Sequence, residues 1–275
     1  MKDYKSAGKT VQGNEGNKCN YPYRLDTYGC GCQHDCSYCY AKSLLDFRKL
    51  WDNKKPAVTP ISDISKKIKK NRNKIVRLGG MTDCFQPIEK LYRNTYKTIK
   101  LLNKYKVPYL IVTKSAMIEE YADIMNKDLA HIQVSVTTLD DTLSATYEKA
   151  SKPSDRIKAI KSLQEAGFDV QLRISPFIPQ NIAISEINAL GIDKILVEFL
   201  RVNPFIEKQF NIDYSEYTIK QNGYKHLPLD KKIQYLKGLE TKEISVCEDE
   251  NKAYEYWKHN FNYNPDDCCN LRRSL

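Results

Sequence analysis

The sequence predicts an α/β fold: a parallel sheet that fits a partial (β/α)6 TIM-like barrel, followed by a mostly helical C-terminal extension. Three observations carry this. Six strand-like segments alternate with helix-like ones between residues 23 and 203, the rhythm of a parallel sheet with crossover helices. Apolar and polar residues alternate along the later strands, giving each one core face and one interior face. After Asn203 the rhythm changes to helices with one short strand-like run, Glu243 to Cys247. The chain divides accordingly into a loose polar tail over 1–18, a barrel over 19–203 and an extension over 204–275.

Each element has a local reason. Residues 23–28 read as a first strand entering a cysteine-rich loop, and 37–50 as the helix leaving it. Pro60 and Ser62 punctuate the start of a basic helix over 61–71. Residues 74–78 form a short apolar strand ended by Gly79-Gly80, with a helix over 88–105. Residues 108–114 are strand and 116–126 helix. Residues 131–138 alternate as a fourth strand. A helix over 153–166 takes Ser151 or Ser154 as its cap and closes on Gly167. Residues 168–175 and 194–200 complete the strands, with a helix over 184–190 between them.

Alternation assigns faces. Ile132, Val134 and Val136 turn to the outer helices, leaving Gln133, Ser135 and Thr137 inside. Val170, Leu172 and Ile174 turn outward, and Arg173 and Ser175 inward. Glu198 opposes Ile195, Val197 and Phe199 and is therefore interior. Lys114 shares parity with apolar Leu110 and Val112, so alternation turns it outward unless the register breaks at the strand end. A site on this scaffold belongs at the C-terminal ends of the strands.

The chain has 275 residues, enough for one large domain with its own core. No apolar run reaches about 18 residues, so no membrane span is expected, and the first residues lack the apolar core of a signal peptide. A cytoplasmic location follows, where thiols stay reduced. Nine cysteines then point to metal or reactive-thiol use rather than disulfides. The net charge of +10 and the run 66–74, six of its nine residues Lys or Arg, raise nucleic acid as a substrate, with 19 tyrosines as stacking surfaces. Lys, Asn, Ile and Tyr are frequent throughout, so the run is equally a solvated helix face.

The chemistry concentrates in Gly-Cys-Gly-Cys-Gln-His-Asp-Cys-Ser-Tyr-Cys-Tyr over 29–40. Cys32, Cys36 and Cys39 are spaced C-x3-C-x2-C. Three thiolates can hold three irons of a 4Fe-4S cluster and leave the fourth iron open. The competing reading is tetrahedral zinc on some of Cys30, Cys32, His34, Cys36 and Cys39, although no second ligand pair follows at finger spacing. Cys30 falls outside the spacing and reads as a packed thiol.

The motif resembles the signature of the radical S-adenosylmethionine (SAM) superfamily, whose fold is a partial (β/α)6 barrel. The resemblance implies that SAM chelates the open iron, that a one-electron donor such as flavodoxin or ferredoxin reduces the cluster, and that a 5′-deoxyadenosyl radical follows. Gly79-Gly80-Met81 resembles the Gly-Gly-Glu-type turn whose backbone meets the SAM amino group, with Met81 in place of Glu. Ser135 matches a ribose-contacting position, and Arg173 one that pairs with the SAM carboxylate. Adding Thr82-Asp83, Gln86-Pro87-Ile88-Glu89 and Thr113-Lys114-Ser115, residues 21–203 resemble the spore photoproduct lyase-like group. That implies SAM contact by Lys114, and SAM contact and radical return by Tyr38 and Tyr40. The group's hydrogen-donating cysteine would fall near Gly80; Cys84, after Asp83, is the nearby thiol, and it either faces the interior from the same loop as the candidate for that role or is a packed thiol.

Three readings follow: a radical SAM enzyme acting on nucleic acid, by repair or base modification; one acting on a peptide or small molecule; or a non-enzymatic zinc or iron–sulfur module. Cys247, Cys268 and Cys269 in the extension, and Cys19 before the barrel, are packed thiols, redox-active thiols, or ligands of an auxiliary cluster such as some radical SAM enzymes carry.

Overall fold

The structure, a computed structural model, describes residues 8–271. Its strands in chain order are β1 (Gly8–Thr10), β2 (Tyr23–Leu25), β3 (Tyr28–Gly29), β4 (Ala57–Val58), β5 (Val76–Leu78), β6 (Tyr109–Thr113), β7 (Ala130–Val136), β8 (Asp169–Phe177), β9 (Lys194–Phe199), β10 (Ile219–Gln221), β11 (Tyr224–His226) and β12 (Glu243–Val246). One eight-stranded sheet runs β1-β2-β5-β6-β7-β8-β9-β12. Every neighbouring pair from β2 to β12 is parallel, and β1 alone is antiparallel. The parallel sheet is the one the strand–helix rhythm anticipates.

The predicted period holds on β7, β8 and β9. Ile132, Val134, Val136, Leu172, Ile174, Ile195 and Val197 are buried in the main core with Ile160 and Leu163 of the helix Pro153–Glu165. Each such side chain contributes about 1.5–3 kcal/mol of apolar burial, so a one-residue slip in register would expose the whole set. Lys152 precedes that helix and no side chain caps it; Pro153 supplies its first turn. Ser151 instead accepts from the Ala116 amide, and Ser154 bonds Asp141.

Four departures matter for the site. The first predicted strand breaks into β2 and β3 around Asp26, which accepts the Gly80 and Met81 amides. The helix expected over 88–105 breaks at Arg93, in the left-handed region at φ 49°, because buried Glu89 accepts the Thr95 and Tyr96 amides. Residues 8–18, expected as a loose tail, form β1 and the helix Gly13–Lys18; residues 1–7 of that tail lie outside the described ones. The extension carries the helices Pro204–Gln209, Leu229–Leu236 and Asn251–Asn260, and its expected strand-like run is β12; the departure is that this strand joins the barrel sheet beside β9.

The N-terminal segment reaches across to the extension. Asn14 and Lys18 donate to the Asp249 carbonyl at 2.5 and 2.7 Å, Asn20 donates to the Asp266 carbonyl, and the Tyr21 hydroxyl donates to the Asp267 carboxylate. No described helix is long and apolar enough to cross a membrane.

Candidate functional site

One cleft gathers most of the predicted residues. Cys32, Cys36, Tyr38, Cys39, Tyr40, Gly79, Gly80, Met81, Lys114, Ser135 and Arg173 all line it. Cys84 does not. It is 1% exposed, in the hydrophobic core between sheet and helices, and burial with the nearby Asp83 charge pushes its thiol well above the ordinary range. The expectation that Cys84 faces the interior is therefore corrected: the segment after Asp83 turns outward toward Phe85 and the helices.

The cysteine loop is shaped by its backbone. At Gly31 a Cβ would lie 2.0 Å from the Asp52 carbonyl oxygen, so only glycine fits. Asp35 adopts φ 45° and is held by Lys42 and Lys149, each at 3.0 Å. The Ser37 amide donates to the Tyr147 carbonyl and the Lys149 amide to the His34 carbonyl. Cys39 caps the helix Tyr40–Phe47. The Gln-Pro-Ile-Glu run braces the loop from behind: Gln86 accepts the Gln33 amide at 2.9 Å and Gln33 accepts that of Ile88 at 2.6 Å. Glu89 takes hydrogen bonds from Tyr28 and Tyr121.

All three motif thiols are pushed toward the neutral form. Burial, then the Asp83 charge, raises Cys32 to about 12. Burial and Glu148 raise Cys36 well above its ordinary value, and burial raises Cys39. Such thiols need a cationic group to stand as thiolates. Three thiols spaced C-x3-C-x2-C on one cleft fit the ligand set of an iron–sulfur cluster that leaves one iron open. Cys30 is buried and outside the cleft lining.

Lys114 reaches the interior, but for a reason opposite to the one expected. Leu110 and Val112 face inward with it, because Tyr21, Cys269 and Leu271 fill that part of the interior with apolar contacts. The Lys114 ammonium donates to Ser135 Oγ at 2.8 Å and to the Ser175 carbonyl at 2.6 Å, and lies 5.6 Å from the Tyr38 ring centre. Burial lowers its pKa. The Ser175 carbonyl sits where the β8–β9 register slips between Ile174 and Phe177.

The Gly-Gly turn is locked from three sides. Gly79 is at φ 84°, and a Cβ there would approach the Val112 carbonyl oxygen to 2.7 Å. Asp26 takes the Gly80 and Met81 amides at 2.9 and 3.0 Å. The Tyr40 hydroxyl donates to the Gly80 carbonyl at 2.7 Å. Tyr38 donates to Glu148, which Arg156 also pairs. Asp83 accepts the Thr113 hydroxyl and the Lys114 amide, both at 2.7 Å. Burial alone would raise Asp83, but His34 and the Lys114 and Phe85 amides bring it down to about 2.

Deeper in the cleft lies a charge network. Arg173 donates to Gln133 at 2.8 Å and to Glu198 at 2.5 Å. Ser175 also donates to Glu198. Arg201 pairs Asp249 at 2.8 Å and Glu15 at 3.5 Å. Thr137 turns instead to Tyr147 at 2.9 Å. Sequence reasoning missed Asp26, Glu148 and Arg156, buried charges without local spacing. It also missed Glu15 and Arg24, an ion pair in the segment read as tail.

The family model of the radical SAM superfamily matches residues 27–187, more than half of the chain. An uncharacterized protein of Acidianus two-tailed virus is 24% identical over 216 residues, 69% of this chain and 69% of its own length. One of Methanocaldococcus jannaschii is 30% identical over 162 residues, 57% of this chain, which spans 61% of that relative. Among solved structures, spore photoproduct lyase complexed with dinucleoside spore photoproduct superposes with a TM-score of 0.66 at 15% identity, over 89% of this chain and 80% of that one. SuiB of Streptococcus suis bound to S-adenosylmethionine superposes at 0.53 and 15% identity, over 88% and 56%. At these identities the structural likeness is one of fold.

Proposed function

The chain belongs to the radical SAM superfamily, and on that premise we propose an enzyme that holds a 4Fe-4S cluster on Cys32, Cys36 and Cys39, binds SAM beside it, and abstracts hydrogen from a nucleic-acid base or sugar. The observation that carries this is the convergence of three thiols, the Gly79-Gly80 turn and Lys114 in one cleft. When bound, cluster and SAM together supply a 5′-deoxyadenosyl radical on receipt of one electron.

The chain's own residues position and shield. The Gly79-Gly80-Met81 turn, rigid through Asp26 and Tyr40, offers backbone carbonyls to an ammonium group. Lys114 and Arg173 are the cations for a carboxylate, and Ser135 is the hydroxyl for a ribose. Tyr38 is committed to Glu148 and serves as a wall of the cleft. With Cys84 outside the cleft, a cysteine at that place does not return hydrogen to a repaired base. Dimer repair on this scaffold would need its hydrogen from another group, and base or sugar modification stays within the same proposal.

The nucleic-acid class is supported by the +10 charge and by the helix Ile61–Lys70, which buries Ile64 and Ile68 and leaves Lys66, Lys69 and Lys70 exposed. It is also the ligand class bound by spore photoproduct lyase. A peptide or small molecule is the second reading. Glu15, Glu198, Glu248 and Asp249 in the cleft offset its arginines, and SuiB, of similar fold, binds a precursor peptide. A flavodoxin- or ferredoxin-type protein would supply the electron.

The test is anaerobic reconstitution, dithionite reduction, addition of SAM, and measurement of 5′-deoxyadenosine. The wild type forms it and Cys36→Ala does not; formation by both sinks the assignment. Deuterated nucleic acid then reports the substrate. Deuterium in 5′-deoxyadenosine supports the class, and its absence beside a peptide-dependent signal transfers the proposal to the second reading.

A further inference from the structure

Four other cysteines line the same cleft: Cys19, Cys247, Cys268 and Cys269. They come from places far apart in the chain. Cys19 precedes β2, near one edge of the sheet. Cys247 follows β12, the opposite edge strand, and its amide donates to the Val197 carbonyl. Cys268 and Cys269 lie in the loop after the helix Asn251–Asn260. Tyr21 and Asn20, beside Cys19, are hydrogen-bonded to Asp267 and Asp266, beside Cys268. The seam between the two sheet edges is thus the place where these thiols meet.

From this convergence we infer a second metal site: Cys19, Cys247, Cys268 and Cys269 hold an iron–sulfur cluster separate from the one on Cys32, Cys36 and Cys39. Three features favour it. Four thiols in one cleft supply a full ligand set for an iron–sulfur cluster. The Cys268 side chain lies within hydrogen-bonding reach of those of both Cys247 and Cys269, so the thiols from the two ends of the sheet converge. Arg77 also lines the cleft. Its Nε is buried with no hydrogen-bond partner, and it forms no ion pair within 4 Å among the described residues. A cluster held by four thiolates is an anion, and Arg77 is a guanidinium placed to face one. The cluster would join the N-terminal segment to the extension across the seam and add a redox centre to the cleft.

This inference stands independently of the proposed reaction. The test is anaerobic reconstitution of the full chain bearing Cys32→Ala, Cys36→Ala and Cys39→Ala together. Iron, sulfide and zinc are then assayed, and the dithionite-reduced protein is examined by electron paramagnetic resonance. The expected result is about four irons and four sulfides per chain, with a reduced-cluster signal. The converse change, Cys247→Ser in the wild type, halves the wild-type iron while leaving SAM-dependent perturbation of the remaining signal. Circular dichroism checks that both variants keep their helix content. A triple variant that folds but holds no iron, or holds zinc alone, overturns the inference, as does full wild-type iron in Cys247→Ser. Equal iron in the wild type and the triple variant would instead remove the first cluster and keep this one.

Discussion

Lys114 Nζ lies 2.8 Å from Ser135 Oγ, tying the end of β6 to β7 over the floor of the cleft. A second bond to the Ser175 carbonyl extends the tie to β8. The ammonium is thus held at the C-terminal ends of three neighbouring strands. Lys114→Met removes that charge with little change in volume. A hydrogen bond to a charged group contributes about 1.5–3 kcal/mol, so SAM affinity should weaken about 10- to 100-fold. Iron content should stay at the wild-type level. Titration of SAM into the cluster-loaded protein measures this, and unchanged affinity would exclude Lys114 from SAM binding.

Cys84 gives the contrasting case. It packs in the hydrophobic core and does not line the cleft. Cys84→Ala should leave 5′-deoxyadenosine formation and substrate turnover at the wild-type rate. Its cost is stability, about 1 kcal/mol for a small buried cavity. Steady-state rates and a thermal melt separate the two. Loss of turnover with the melt intact would return Cys84 to the mechanism.

Glu198 predicts part of the acid response. Burial would raise its pKa, but Arg173 and Arg201 outweigh burial and hold the carboxyl well below the ordinary carboxylate range. Its ionised form is therefore favoured by folding. The stability it contributes is complete above the unfolded value of about 4.3 and is lost as pH falls below it toward the depressed folded value. Glu198→Gln should be less stable at neutral pH, because Arg173 then loses its buried partner. It should also lose stability less steeply below that pH than the wild type does. Urea midpoints across the acid range test this, and parallel acid limbs would contradict it.

The candidate site was legible where chemistry is written in short spacings. The cysteine triad, the Gly-Gly turn and the interior faces of β7 and β8 follow from local spacing and a period of two. For Lys114 the resemblance and the alternation disagree, because apolar Leu110 and Val112 read as an outer face. In the folded chain the interior near them is itself apolar, filled by Tyr21, Cys269 and Leu271, which come from the two ends of the sequence. The same long range hid the N-terminal segment: nothing within residues 8–18 signals order, because their partners Arg24, Arg201 and Asp249 lie outside them. Asp26 and Glu148 were invisible for a related reason. A buried carboxylate is chosen by the donors around it, and those are assembled only by the fold.

The pair behind Tyr38 makes the strongest stability prediction. The side chains of Glu148 and Arg156 are both fully buried. Arg156 also donates to the Ser135 and Ser151 carbonyls at 2.9 and 2.6 Å, and Glu148 accepts from Tyr38 and Ser144. Removing one member leaves a buried charge without its partner, which costs about 3–5 kcal/mol. Arg156→Met and Glu148→Gln should each fall in that range. The double variant leaves no isolated ion, so its cost should be well below the sum of the two. Because Tyr38 and Cys36 both adjoin Glu148, the single variants should also lower cluster retention, while the double variant recovers part of it. Urea unfolding and iron assays on all four proteins close the cycle. Additive losses would mean that the two charges are solvated separately, and that the wall behind the cysteine loop is held by packing alone.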